Sequence, residues 1–308
     1  MKITVMGPGG VGGYFGGRLA QAGNEVTFVA RGSHLEAMRS KGLRLDSEIG
    51  GVHLNPVKVV ANAAEIPAAD AIIFAVKMRD TESAAESLKG LTSKGATIFT
   101  FQNGVESAER IGRITGAGSV VEGAARIASN IPEPGVIKQI GKFASLEFGE
   151  RDGKPTPRVT AFHEACVKAG IDARLSEDIS RTLWLKFAML SAVSGMTALT
   201  RGPLGPIRDR AESYAMLKDA VQETVAVGLA LKTGLRPEDA ANTIKLIDGL
   251  PRPMMASMCH DLLGGKPIEI AGLSGAVARL GKANGVPAPT HAFIAAALAP
   301  FTDGPPKV

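Results

Sequence analysis

The chain has 308 residues, 45% hydrophobic and 21% charged, an ordinary globular balance that excludes a disordered protein and leaves room for two domains. Its net charge of +5 is spread without a basic run and aromatics make up 5%, so nucleic acid is an unsuitable partner and an anionic small molecule a suitable one. Two cysteines, Cys166 and Cys259, form no disulfide framework and read as buried apolar residues, the five histidines show no metal-ligand spacing, and no uninterrupted apolar run reaches the length of a membrane span.

Lys2–Met6 reads as a short apolar strand, followed at once by Gly7-Pro8-Gly9-Gly10-Val11-Gly12-Gly13 and a helix from Tyr14 to Ala22. No leader pattern precedes the strand, and a cytoplasmic protein is expected. A Gly-x-Gly-x-x-Gly loop between strand and helix has a mechanical logic. Gly7 makes the tight turn, Gly9 lets backbone approach a pyrophosphate, and Gly12 lets helix and strand pack closely. The helix start, including Gly10 and Val11, offers free N–H groups and a positive dipole end to phosphates. Where an NAD site would end its second strand in an acid, Val26–Ala30 runs into Arg31, whose guanidinium suits a 2′-phosphate. NADP(H) is the expected cofactor.

Further apolar runs at Ala71–Val76, Ala96–Phe101 and Val120–Gly123 suit parallel strands buried on both faces. Ser33-His34-Leu35-Glu36 has the form of a capping box opening a helix that Gly42 would close, and Asp80 is placed to cap another. Leu43–Val60 reads as short β pieces around Gly50-Gly51, and Asn130–Gly149 as an antiparallel addition. The spacing predicts an α/β fold with an N-terminal Rossmann-type doubly wound sheet over residues 1–176. Residues 177–308 read as a C-terminal all-helical domain, with helices at Ile179–Thr200, Glu212–Thr233, Pro237–Leu246, Pro253–Leu263, Leu273–Asn284 and Thr290–Pro300. Ligands of doubly wound sheets sit at the carboxyl ends of strands, so a cleft between the domains is the expected site. The apolar stripes of the helical half suit a homodimer and a single core equally.

Lys186 falls within an apolar stripe formed by Ile179, Leu183, Phe187, Leu190, Val193 and Ser194, taken at 100° per residue. Such an ammonium either carries chemistry or snorkels to water. Glu269 is the one acid between Asp261 and Asp303, and reads equally as a helix-start acid or a site residue. Ser257, in the middle of its expected helix, satisfies a backbone carbonyl or binds substrate. Lys77 and Asn103 follow apolar strands, where such folds place ligands, although Asn103-Gly104 also reads as turn chemistry.

The ordered series of the glycine loop, Ala30-Arg31-Gly32, Val76-Lys77, Gln102-Asn103-Gly104, Trp184-Leu185-Lys186-Phe187, and Ser257-Met258-Cys259-His260-Asp261 followed by Glu269 resembles the ketopantoate reductase (2-dehydropantoate 2-reductase) family along essentially the full chain. The resemblance implies NADPH-dependent reduction of a 2-oxo acid, ketopantoate to pantoate in pantothenate biosynthesis. It implies that Lys186 is the catalytic proton donor and that Glu269 stands near it and the substrate hydroxyl. Asn103, Ser194 and Ser257 would contact substrate, Lys77 and Asn103 would line the cofactor side, and the cleft would close around the bound pair. The chain departs from the family pattern where asparagines often stand four and eight residues after the lysine, holding Leu190 and Ser194 instead. The family's Thr-Glu-Ile-Asp appears as Ile268-Glu269-Ile270-Ala271. Groups that would read a substrate hydroxyl are thereby lost or shortened, so a more apolar 2-oxo acid is the alternative substrate. A non-catalytic NADP(H) sensor is a third reading, opposed by the presence of both Lys186 and Glu269.

Overall fold

The computed structural model describes residues 1–306, which divide into two compact units. One comprises residues 1–102 and 106–179, the other residues 103–105 and 180 onward. The first alternates strand and helix: β1 (Lys2–Met6), α1 (Gly10–Gln21), β2 (Glu25–Val29), α2 (Gly32–Lys41), β3 (Leu43–Asp46), β4 (Val52–Leu54) and β5 (Val59–Val60). It continues through β6 (Ala71–Phe74), α3 (Thr81–Thr92), β7 (Thr97–Thr100), α4 (Ser107–Thr115), β8 (Val120–Glu133), β9 (Val136–Gly149), α5 (Pro157–Lys168) and β10 (Asp172–Leu175).

Six parallel strands lie in the order β5-β2-β1-β6-β7-β8, the arrangement of a dinucleotide-binding doubly wound sheet, with the order reversing between β1 and β6. Their continuous apolar runs arise because alternate residues feed two different cores. Along β6, Ile73 packs with Phe15 and Leu19 of α1 and Phe162 of α5, while Ile72 and Phe74 pack with Leu88 of α3 and Ile111 of α4. Phe99 stacks on Phe162 at 4.1 Å between ring centres and meets Phe148 edge-on. Cys166 is sealed in the same core, where burial pushes its thiol up to about 12 and leaves it no nucleophile.

Four local expectations give way to tertiary structure. α1 starts at Gly10, not Tyr14, because its glycines wind tightly against β1 and the loop is confined to Gly7–Gly9. No capping box forms at Ser33: α2 begins at Gly32 with Arg31 at its N-cap, and neither Arg31 nor Asp80 at the start of α3 caps through its side chain. The strand beginning at Val120 does not stop at Gly123 but runs to Glu133 as the 14-residue β8, pairing antiparallel with β9 along most of its length. Cross-strand pairing outweighs the poor strand propensity of Gly123, Asn130 and Pro132, and the proline falls where the register shifts and no ladder bond is required. α5, to which no sequence pattern was assigned, starts on Pro157 and buries Val159, Phe162 and Cys166.

The second unit is helical: α6 (Ile179–Thr200), α7 (Leu204–Asp209), α8 (Ala211–Ala230), α9 (Asp239–Asp248), α10 (Ser257–Leu263), α11 (Ser274–Ala283) and α12 (Pro289–Leu298). By length and mean hydropathy α6 could cross a membrane, although Lys186 interrupts its apolar run as the sequence reading requires, and 72% of its apolar window is buried inside the protein. It is a central helix. Its Ser191 hydrogen-bonds Thr224 of α8, its Thr197 carbonyl accepts from Cys259 of α10, and Gly195 lies against Ser274 of α11 and Ile294 of α12. Near its start Arg181 forks the Asp239 carboxylate at 2.6 and 2.8 Å.

A buried histidine joins α8 to α12. The Nε2 of His291 lies 2.8 Å from both the Ala220 carbonyl and the Thr224 hydroxyl, and Glu223 accepts from the N–H groups of Thr290 and His291. Burial holds the His291 imidazole below its ordinary 6.5, so it is neutral in the fold. The unfolded chain takes up a proton from about pH 6.5 downward that the folded chain resists, so stability falls as pH drops through 6.5 and is unaffected above it. His291→Gln is expected to unfold at a lower temperature than wild type at about pH 7, with the gap narrowing towards about pH 5 in thermal melts followed by circular dichroism. A constant gap would show that this histidine does not titrate on unfolding.

Candidate active site

At the end of β1 the backbone must turn before α1 can begin, and Gly7 does so with a φ of +86° open to glycine. Its N–H donates to the Val29 carbonyl at 3.3 Å, joining the ends of β1 and β2. A Cβ at Gly12 would collide with the Gly7 carbonyl oxygen, so close packing of helix on strand requires glycine there. At the N-cap of α1, Gly9 behaves differently: a Cβ there would meet nothing within 4 Å. The N–H groups of Gly10, Val11 and Gly12 form the first helical turn and have no intrahelical acceptor. Bare backbone, open approach and a helix dipole together suit an anionic diphosphate.

Arg31 lies just beyond β2, exposed, in extended backbone at the N-cap of α2. Lys77 lies just beyond β6, exposed, ahead of a short 3₁₀ turn at Met78–Asp80. The glycine loop, Arg31 and Lys77 therefore share the carboxyl ends of three adjacent parallel strands, β2, β1 and β6.

Gln102 was not singled out from sequence. Its buried side chain donates from Nε2 to the Val76 carbonyl and to the Thr81 hydroxyl, both at 2.9 Å, and Thr81 in turn donates to the Met78 carbonyl at 2.8 Å. Arg110 donates to the same Met78 carbonyl and forks Glu82, holding that carboxyl below its usual range. The turn carrying Lys77 is thus tied to the end of β7. The signal was a polar residue ending a fully buried strand, where a side chain must find partners.

In the second unit the Nζ of Lys186 donates to Oδ1 of Asn103 at 3.2 Å. This contact brings together two residues picked separately from sequence, 83 positions apart, and residues 103–105 belong to the helical unit. Lys186 is half-buried on α6. Glu269 is half-buried too, directly ahead of the 3₁₀ turn Ile270–Gly272, and its side chain does not cap that turn. Ser257 differs from expectation: it is exposed and is the first residue of α10, whose start lies four residues later than Pro253. Ser194 differs as well. It is fully buried, because α6 is enclosed on all sides from Ser191 to Ala198, and its hydroxyl has no hydrogen-bond partner in the protein.

Comparisons with known proteins extend the geometry. Residues 3–153 match the family described as Ketopantoate reductase PanE/ApbA, and residues 178–301 match Ketopantoate reductase PanE/ApbA C terminal. A 2-dehydropantoate 2-reductase of Mesorhizobium japonicum is 33% identical, over 94% of this chain and 94% of the relative. A solved PanE/ApbA family ketopantoate reductase from Ralstonia eutropha is 30% identical, with a TM-score of 0.89 over 97% of each chain. A D-mandelate dehydrogenase solved with NADH and anilino(oxo)acetate has the same fold at 22% identity, with a TM-score of 0.87 over 97% of each chain. The chain therefore belongs to the ketopantoate reductase family of oxidoreductases.

Proposed function

We propose that the chain reduces 2-dehydropantoate (ketopantoate) to pantoate with NADPH, using Lys186 as proton donor. The observation that carries this reading is the hydrogen bond between the Lys186 ammonium and Asn103, which fixes a half-buried cation at a residue that follows the end of a parallel strand. Gly7, Gly9, Gly10, Val11, Gly12, Arg31 and Lys77 would hold the cofactor, which when bound would supply a hydride to the carbonyl carbon. As negative charge gathers on the carbonyl oxygen, Lys186 donates its proton there. Asn103 orients the lysine and offers its amide N–H₂ to the substrate. Glu269 takes the hydroxyl end of the substrate and Ser257, exposed at the first turn of α10, accompanies it. Ser194 has no direct contact in this scheme, since its hydroxyl is sealed in the helical core.

The cofactor preference rests on Arg31. No acid closes β2, and an exposed guanidinium at that place supports a 2′-phosphate. The fold alone does not discriminate, since the D-mandelate dehydrogenase of the same architecture is solved with NADH. A second substrate reading is favoured by Leu190 and Ala271, apolar where the family pattern is often polar: the same reaction on a more apolar 2-oxo acid.

Three measurements test these assignments. Lys186→Ala is expected to lower kcat by roughly 100-fold or more, the span of a lost general acid, with NADPH affinity within about twofold of wild type. Equal turnover in the variant would remove the lysine from the chemistry. Arg31→Ala is expected to weaken NADPH roughly tenfold while barely affecting NADH, measured by fluorescence titration, because a charge-assisted contact to the 2′-phosphate is absent in NADH. Equal losses for the two dinucleotides would rule out phosphate recognition. For the substrate, kcat/KM for ketopantoate is expected to exceed that for unhydroxylated branched and aromatic 2-oxo acids by roughly 100-fold, as a site that hydrogen-bonds a hydroxyl rejects analogues lacking it. A ratio near one would favour the apolar-substrate reading.

A further inference from the structure

His34 is the third residue of α2 and is half-buried, and its imidazole reaches two separate backbone segments. Nε2 lies 2.9 Å from the Pro8 carbonyl oxygen, inside the glycine loop, and Nδ1 lies 3.0 Å from the Gly135 nitrogen at the tip of the β8–β9 hairpin. A backbone N–H can only donate, so Nδ1 is the acceptor and Nε2 carries the proton to Pro8. The ring is therefore neutral and held in one tautomer, in keeping with a burial that draws its pKa below 6.5.

The hairpin backs the loop on either side of this link. A Cβ at Gly10 would lie 2.6 Å from Oγ of Ser129 on β8, and one at Gly13 would lie 2.8 Å from the Ile137 side chain on β9. These two glycines lie outside the Gly-x-Gly-x-x-Gly pattern, and close approach of the hairpin explains them. A loop made of glycines has no side chains with which to anchor itself. His34 supplies such an anchor from outside the loop. The Pro8 carbonyl shares a rigid peptide plane with the Gly9 N–H, which closes on the Gly7 carbonyl at 2.8 Å. Holding the Pro8 oxygen therefore fixes the orientation of the peptide from which α1 starts.

We propose that His34 is a positioning residue for the dinucleotide: by clasping Pro8 to the β8–β9 hairpin it presets the N–H groups of Gly10, Val11 and Gly12 for the diphosphate. The inference rests on the reading of this loop as the NADPH site. Preorganisation of this kind acts on cofactor affinity and leaves the chemical step alone.

The test is titration of the full-length protein with NADPH, followed by nucleotide fluorescence, beside steady-state kinetics at varied NADPH. His34→Ala and His34→Phe both delete the two bonds, and the phenyl ring preserves packing should the smaller residue impair folding. Each is expected to raise the Kd and KM for NADPH roughly fivefold to tenfold, with kcat at saturation within about twofold, the size of one or two lost hydrogen bonds. His34→Gln keeps an amide donor towards Pro8 and is expected to restore affinity to within about twofold of wild type. His163→Ala, which removes a single bond to the Ala173 carbonyl elsewhere in the same unit, is expected to leave affinity unchanged. Wild-type affinity in the phenylalanine variant, no rescue by glutamine, or an equal loss in His163→Ala would overturn the role of His34 while leaving the cofactor reading intact. Failure of the wild-type protein to bind NADPH would overturn both.

Discussion

A charged amine on a helix that the rest of its unit encloses is the constraint around which this molecule is arranged. α6 is apolar enough to resemble a membrane segment, and it spends that character on contacts with α8, α10, α11 and α12. Lys186 interrupts it. A cation in such surroundings needs polar contact, and Asn103 supplies a carbonyl oxygen at 3.2 Å. Asparagine is well suited to this task, since its oxygen accepts from the ammonium while its amide nitrogen remains a donor of the opposite kind. One residue can thereby aim a proton donor and contact a carbonyl compound in the proposed reaction.

The residue before Asn103 is itself anchored within the first unit. Gln102 turns back to the Val76 and Thr81 positions, so the ends of β6 and β7 are locked together by a buried amide. The turn bearing Lys77 is one product of that lock. The same logic governs the glycine loop, where the Gly7 N–H binds the Val29 carbonyl and His34 binds the Pro8 carbonyl. In the glycine loop and in the turn bearing Lys77, backbone is held by a side chain from elsewhere in the unit, half-buried His34 in one and buried Gln102 in the other. Side chains free to move would cost entropy on binding, and these supports remove that cost in advance.

Much of this was legible in the sequence, for definite reasons. Strand–glycine–helix at the start of the chain constrains geometry through sterics alone, so Gly7 and Gly12 have the strain and close packing their spacing foretold. The alternation of apolar runs with helices yielded the doubly wound sheet, because strands buried on two faces leave a continuous signature. What escaped was non-local. Lys186 and Asn103 were each singled out, but nothing in local periodicity joins residues 83 positions apart. The length of β8 was hidden because Gly123 and Asn130 disfavour strand and are overruled by β9. The apparent capping box at Ser33 misled for the converse reason: His34 lies inside the motif, and its ring serves the glycine loop and not the helix.

The substrate question turns on positions where the helical unit departs from the family pattern, and burial separates them. Leu190 is half-buried and Ala271 exposed. Ser194 is different, being fully enclosed with a hydroxyl that finds no protein partner. α6 is enclosed from Ser191 to Ala198, and close packing there suits a side chain as short as serine. Ser194 therefore contributes to packing, and in the proposed reaction recognition of a substrate hydroxyl falls to groups nearer solvent. Half-buried Glu269 is one, and exposed Ser257 at the start of α10 is another. In the proposed reaction these two groups retain the means to hydrogen-bond a hydroxylated substrate, whereas Leu190 and Ala271 pull the other way, towards a more apolar 2-oxo acid, and the balance between the two sets decides which substrate the site prefers.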